Sequence, residues 1–523
     1  MTIDPHSLLE STDLDASSVE EIVSQLAAEP APTGERAERL RRWLARVQAH
    51  LRQERWGLTE STRQNIARIY RCWGESWPAN HQWLVVLAAD QSVSSLQLWR
   101  DLLLEQPPSS GTHAAEAFAP LVARLTWAPD ALYPALLDGL NELSIAPLIL
   151  DLANLLVRRG RVDTHPARSR TTLLASLLGQ LAERLGVLEE QAVGGPLPSG
   201  AGRRIADSVS LAISCTDALA LIGDHQATPA LFKTLEVGHR RLQVEAAYAL
   251  SRLQEPAGRE RLVELSAEPL VRQRVLAYAS ELGLLDEIPA QMRSDRSRAE
   301  AELVQYLAMP TQFGLPPSRW DIVDQRTLRW PGFDEPITVF LFDYDYVADQ
   351  GIYSNRAIVG PCTRAPRIDL RPLTIAATLA YFAGWQAEHE SIRPLGEDQL
   401  SPRARQSVDE LLASVPAGLA IDRVEQLWQF FDQLHVICTA RQVSETPPVP
   451  GTLVLAHNGS RWFPSTPSSR ALDPIDWYDV FKGAELLSAF NPDYSLDQPD
   501  PVPSGPSEPP SDPSSGPASA DHS

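Results

Sequence analysis

Asp343 and Asp345 stand two apart in the run ITVFLFDYDY, residues 337–346, and residues two apart on a strand project from the same face. Such a pair can hold a divalent metal or divide acid and base roles. A cation of that kind needs more oxygen ligands than this run supplies, so the competing reading is two carboxylates facing solvent or paired with Arg356 or Arg364. His435 precedes Cys438 by three residues in a segment read as helical, which puts them one turn apart. That spacing suits a nucleophile and its base, or two metal ligands; it also suits a buried thiol beside an amphipathic histidine. His389 lies between Glu388 and Glu390 near the end of another predicted helix. No GxSxG, HExxH, phosphate-loop or GxGxxG motif stands in a supporting context, so no catalytic residue is assigned and no cofactor is expected.

The arginines offer binding chemistry instead. Arg158, Arg159 and Arg161 crowd the segment LVRRGRVDTHPARSR, and Arg203, Arg204, Arg240 and Arg241 fall near later inter-helix turns. Aligned along one edge, these turns would form a positive strip suited to an acidic peptide or a phosphate group. The alternative is that the arginines solvate loops and cap helix C-termini. Trp385, Trp428, Trp462 and Trp477 enrich the C-terminal part in indole, suited to core packing or to a ligand platform.

The elements that position these residues are mainly helical. RAERLRRWLARVQAHLRQ sets Leu40, Trp43, Leu44 and Val47 on one helical face, and further helices are predicted over 61–73, 83–89 and 96–104. From about Thr112 to Asp286, apolar residues recur at i, i+4, i+7, i+8 and i+11. They do so at Ala114, Phe118, Leu121, Val122 and Leu125, and again at Ile145, Ile149, Leu152, Ala153 and Leu156. Three later copies start at Leu211, Leu242 and Val271, a period of roughly 30 residues that suits stacked helix pairs. Small residues at Ala218, Ala246, Ala249 and Ala279 sit where helices must approach closely.

DALALIGDHQATPALFKTL and VEAAYALSRLQEPAGRERLVEL resemble HEAT repeats, in particular the short bacterial repeats of phycobilisome lyase-like proteins, over about residues 208–289. The resemblance rests on the Ala-Leu pair, the Gly223-Asp224 turn, the Pro229-Ala-Leu helix start and the Val271-Arg272 step. The second copy departs from it, with Gln254-Glu255 where Gly-Asp is usual, and the third ends in LGLLDEIP. The resemblance implies an armadillo-like solenoid that binds protein partners. It also raises the alternative of a chromophore-handling protein, for which no bilin pocket is identifiable in the residues.

Near Pro310 the texture changes. RWDIVDQRTLRW and ITVFLFDYDY alternate as strands, the second apolar on both faces and therefore central, and YSNRAIVGP follows as a partner. Helices are predicted at 373–389, 408–414, 424–439 and 477–487, with a late strand in GTLVLAH; metal-dependent chemistry around Asp343, Asp345 and His389 would belong here. The expected organisation is a mobile segment over 1–30, an α-helical HEAT-like solenoid over 31–308, a small α+β domain over 309–497, and a disordered Pro/Ser-rich tail over 498–523. A Gly/Pro-rich surface loop is expected at 191–202.

Bulk properties agree with a folded binding protein. Of 523 residues 43% are apolar, and the net charge of −21 disfavours generic contact with nucleic acid or an anionic membrane. Four scattered cysteines without a CxxC pair point to reduced thiols. The N-terminus lacks a secretory pattern, and charged or polar residues break the apolar stretches short of a bilayer span. A cytoplasmic, non-catalytic HEAT-repeat scaffold or adaptor with a protein partner is the expected function.

Overall fold

The computed structural model describes residues 14–194, 201–348, 351–387, 392–464 and 473–494. The chain divides into two compact units, one running to Ala267 and resuming over Arg274–Pro289, the other comprising Glu268–Gln273 and the chain from Ala290 onward. The expected tail, His389 and residues 195–200 of the Gly/Pro-rich stretch lie outside the described residues, while residues 191–194 and 201–202, expected in a loop, belong to helices. The molecule is mainly helical, and among the described residues the sheets lie in the second unit.

The first unit contains α1 (Ala16–Leu26), α2 (Gly34–Arg52), α3 (Glu60–Trp73), α4 (Gln82–Asp90), α5 (Val93–Glu105), α6 (Gly111–Ala123), α7 (Ala146–Arg158), α8 (Thr171–Gly194), α9 (Ala201–Ile222), α10 (Thr228–Leu235), α11 (Arg240–Arg252) and α12 (Pro256–Leu265). The C-terminal part of α13 (Pro269–Glu281) completes it. Several of these helices start where the local sequence dictates. Asp15 and Ser18 exchange hydrogen bonds at the head of α1, while Thr59 and Ser92 accept from the backbone N–H groups of Thr62 and Ser95 at the heads of α3 and α5. Proline opens α7, α10 and α12, where the missing N–H costs nothing. Helix α1 buries Val19, Ile22, Val23 and Leu26, so packed structure begins inside the segment expected to be mobile.

The repeat spacing appears in the backbone as well as in the stripe. Left-handed residues close the helices at Gly223 (φ 72°), Gln254 (φ 62°) and Gly283 (φ 70°), each at the same offset from the stripe starts at Leu211, Leu242 and Val271. Gln254 adopts the same left-handed turn as the two glycines, at a cost of about 1 kcal/mol relative to glycine. Leu211, Cys215, Ala218, Leu219, Leu242, Ala246, Ala249, Leu250, Val275 and Ala279 are buried. Helix α9 packs on α7, α8 and α11, and α11 packs in turn on α10 and α12. The stripe predicted from Ala114 ends early: α6 stops at Ala123, leaving Val122 exposed. One stretch, Ile205–Ile222 of α9, is long and apolar enough to cross a bilayer, contrary to the expectation that charges interrupt every such run; most of it is buried within the unit.

The second unit opens earlier than the expected boundary at residue 309. It holds α14 (Ala290–Arg293) and α15 (Asp295–Leu307), then the antiparallel sheet β1 (Arg319–Arg329), β2 (Pro336–Ala348) and β3 (Gly351–Val359), with β2 central as its two apolar faces require. Phe340, Phe342 and Tyr344 face Ala299, Leu303 and Leu307 of α15, which is why that helix belongs to this unit and not to the first. On the opposite face, Val339, Leu341 and Ile358 pack with α16 (Ile375–Gln386) and α18 (Pro474–Phe490).

A second antiparallel sheet is a meander of β4 (Ile392–Leu395), β5 (Leu419–Phe430), β6 (Gln433–Gln442), β7 (Val449–Ala456) and β8 (Gly459–Pro464). Leu411 of α17 (Pro402–Ala413) packs with Val436, Cys438, Leu453 and Leu455 on one face, while Tyr478 and Phe481 of α18 pack with Phe430, Ile437 and Val454 on the other. This sheet corrects the helix predicted over 424–439. LHVICTA is an apolar run buried on both faces, for which helical and strand periodicities coincide, and the β-branched Val436, Ile437 and Thr439 tip it to strand. The turn before it, Phe431-Asp432, reaches φ 52° at Phe431 without the glycine or asparagine that usually marks a hairpin.

Candidate functional site

Helices α11 and α13 present their polar residues to each other in three rungs. Tyr248 and Tyr278 stack with ring centroids 3.9 Å apart and planes 17° from parallel. Below them Glu245 accepts from Arg274 at 3.0 Å and from the Tyr278 hydroxyl at 2.5 Å. Above them Glu281 accepts from Arg252 at 3.2 Å and from the Tyr248 hydroxyl. Each tyrosine thus donates to a carboxylate on the opposite helix, and each arginine also reaches the hydroxyl on its own helix at 3.2 Å. Along α11 the order is Glu, Tyr, Arg; along α13 it is Arg, Tyr, Glu, which brings unlike charges together in both outer rungs.

The rungs continue across the neighbouring helices. Arg158 at the end of α7 pairs with Asp217 of α9 and lies 3.7 Å from Glu281, with its guanidinium carbon 6.0 Å from the Tyr248 ring centroid. Arg241 approaches Glu245 at 3.9 Å. Glu245 is 2% exposed, and burial holds its carboxyl above the usual range even though Tyr278 and Arg274 oppose that shift. Burial likewise raises the Tyr248 and Tyr278 hydroxyls, so both stay protonated donors at neutral pH. The charged heads of Arg158, Arg252, Arg274 and Glu281 remain a third or more exposed, which leaves an amphoteric polar surface over a buried aromatic pair.

This arrangement revises the positive strip. Of the arginines singled out from sequence, Arg158 and Arg241 face carboxylates, Arg240 donates to Gln243 at 3.0 Å, and Arg161 donates to the Trp127 carbonyl at 3.2 Å. Arg159 is exposed after the last turn of α7. Arg203 and Arg204 fall on the first turn of α9, with side chains outside the described residues. Arg158 and Arg241 are therefore charge-compensated, whereas Arg161 and Arg240 donate to uncharged acceptors. Tyr248, Arg252, Arg274 and Glu281 were missed as a site. Their signal was available: corresponding rungs lie one repeat apart, like the apolar stripes.

In the second unit Asp343 and Asp345 do occupy one face of β2, but Asp343 accepts from Arg356 at 3.0 Å, and that guanidinium also donates to the Leu373 carbonyl at 2.6 Å. Asp345 sits opposite Arg319 and Ser354. Among the described residues no group of three or more His, Cys, Asp or Glu side chains could hold a metal ion. His435 and Cys438 do not meet. Three apart on a strand, they point to opposite faces of the sheet, and burial pushes the Cys438 thiol up to about 12, far from a thiolate at neutral pH. Trp428 stacks on Tyr478 and Trp477 on Phe463 as core elements, Trp462 packs against the second sheet's core, and Trp385 keeps 38% of its surface exposed.

His435 instead provides a pH-dependent stability element. It is fully buried against Phe430 and Phe481, and burial pulls its imidazole down to about 4 from 6.5. The neutral ring's contribution is complete above pH 6.5 and is lost as pH falls towards 4, a difference of about 3 kcal/mol in full. Asp476, raised to about 6 by burial and by Asp473, acts in the opposite direction over the same range. Comparison with His435→Phe isolates the histidine: the wild type is expected to lose more stability than the variant between pH 7 and pH 4 in urea titrations. Parallel curves would show that the ring does not titrate in this way.

No family model, curated protein or solved structure matches this chain.

Proposed function

We propose that the chain is a non-catalytic, HEAT-like helix-pair scaffold or adaptor, acting in the cytoplasm, whose first unit binds a protein partner. The observation that carries this reading is the charge–tyrosine–charge ladder, which crosses successive helices and leaves cationic and anionic heads exposed side by side. Stacked repeats that share a polar face are suited to holding an extended partner. The alternation of sign favours a partner segment carrying both charges over a purely acidic peptide, because Arg158, Arg252 and Arg274 each already have a carboxylate beside them.

The test is affinity capture from the native cell with the full chain, followed by mass spectrometry. The wild type is compared with an Arg158→Gln and Arg252→Gln pair, which spares the Arg274 pairing of the buried Glu245. The variant is expected to lose the wild type's principal partner while retaining its melting curve. Unchanged recovery of every partner at equal salt would remove the ladder as the binding face.

A further inference from the structure

The second unit contains a cleft of about 300 Å³ beside the end of β3, lined by Tyr306, Gln312, Thr363, Arg364, Arg367 and Trp385. Its size is at the small end for ligand pockets. Two guanidinium groups enter it in a chain whose net charge is −21. Neither has a carboxylate within ion-pair distance among the described residues, whereas Arg326, Arg356, Arg371, Arg423 and Arg441 of the same unit each face one.

Arg364 is held in place from two directions. Its guanidinium carbon lies 3.2 Å from the centroid of the Trp385 ring. Its backbone N–H and C=O exchange hydrogen bonds of 3.0 Å with Ile358, tying the residue to β3. The segment that follows is fixed by Asn355, fully buried, which donates to the carbonyls of Pro366 and Ile368 at 2.8 Å and accepts from the N–H of Leu370 at 3.0 Å. The indole covers one face of the guanidinium and leaves its in-plane N–H donors for a ligand, the geometry in which arginine binds an oxyanion through two parallel hydrogen bonds. The nearby carboxylates have other partners: Thr363 donates to Glu302, and Lys482 pairs with Asp479 at 2.9 Å.

We propose that this cleft binds the phosphate group of a small phosphorylated molecule, with Arg364 as the fixed fork and Arg367 as the second positive charge. Two guanidinium groups match a dianion better than a monoanionic carboxylate, and the indole under Arg364 keeps the fork oriented before the ligand arrives. This inference is independent of the partner-binding reading of the first unit.

The full chain titrated with inorganic phosphate, against sodium chloride of matched ionic strength, is expected to show saturable binding by calorimetry. Arg364→Met is expected to weaken it by at least about tenfold, and Arg367→Met by a smaller factor. Arg364→Lys is expected to restore less than half of the lost binding energy, because an ammonium group offers no planar fork. If Arg364→Met fails to fold, the exposed Arg367→Met and the Arg364→Lys variant decide the matter. Absence of saturable phosphate binding to the wild type, or equal binding by the arginine variants, would overturn the proposal. Acetate binding as tightly as phosphate would overturn the assignment to phosphate.

Discussion

Ala249→Glu is expected to collapse the packing of the first unit, lowering its stability by about 4 kcal/mol or more. Ala249 has no exposed surface and lies on α11, the helix that packs on α9, α10 and α12. A glutamate there must either bury an unpaired carboxylate or take up a proton, and it adds about four heavy atoms beyond the methyl group where small residues permit close helix approach. Ala249→Leu separates the two costs: it adds volume without charge and is expected to cost about 1–3 kcal/mol. Hydrogen exchange read by mass spectrometry provides the measurement. In the glutamate variant, protection should fall across α9, α11 and α12 together, while the strands of the second unit keep theirs. Unaltered protection and an unaltered melting curve would show that the stripe through Leu242, Ala246, Ala249 and Leu250 is not the packing face.

The helices over this region were legible in the sequence because an apolar stripe on a helix has a long, redundant period: Leu211, Leu242 and Val271 each begin five matching positions. The polar ladder obeys the same spacing, but a tyrosine or a glutamate is ordinarily surface, and only the partner helix shows that Glu245 and Tyr248 are buried. The arginines were legible as a cluster and illegible as a charge pattern. Arg158 is neutralised by Asp217 and approached by Glu281, residues 59 and 123 positions away, and no local window contains them. For the same reason the unit boundary was placed too late. The amphipathic pattern of α15 is like that of a repeat helix, and what assigns it to the sheet is its contact with Phe340, Phe342 and Tyr344.

The strands show where periodicity decides and where it does not. In β2 both faces are apolar over a run bounded by turn residues, and the reading as a central strand follows. In β6 the apolar residues are equally continuous, but the hairpin turn at Phe431-Asp432 gives no residue signal, so the two strands merge into one apparent helix. The consequence for chemistry is direct. Helical spacing puts His435 beside Cys438, whereas strand spacing sends one to α18 and the other to α17.

The crossing of α16 and α18 yields the second large effect. Gly384 and Gly483 face each other where these helices meet, and the approach is close enough that a Cβ on Gly483 would collide with the backbone carbonyl of Ala380, and one on Gly384 with that of Asp479. Backbone on either side cannot retreat as a flexible side chain would, so the helices must separate. Both helices contribute to the core beneath the first sheet, through Leu379, Phe382, Val480 and Leu487. Parting them would also open the contacts of Tyr478 and Phe481 with the second sheet. Gly483→Ala is therefore expected to cost about 3 kcal/mol, at the upper end for overpacking, despite adding a single methyl group to a helix, where alanine is intrinsically the better residue. Gly179→Ala supplies the contrast. Gly179 lies within α8 with nothing within 4 Å of an added Cβ, and the same exchange there should stabilise by about 0.5–1 kcal/mol. Chemical denaturation of the two variants, with unfolding of the second unit followed by protection of the β2 and β6 amides, distinguishes the cases. A neutral or stabilising Gly483→Ala would mean that the helices do not cross at these glycines, and with that crossing would go the common core by which α18 joins the two sheets.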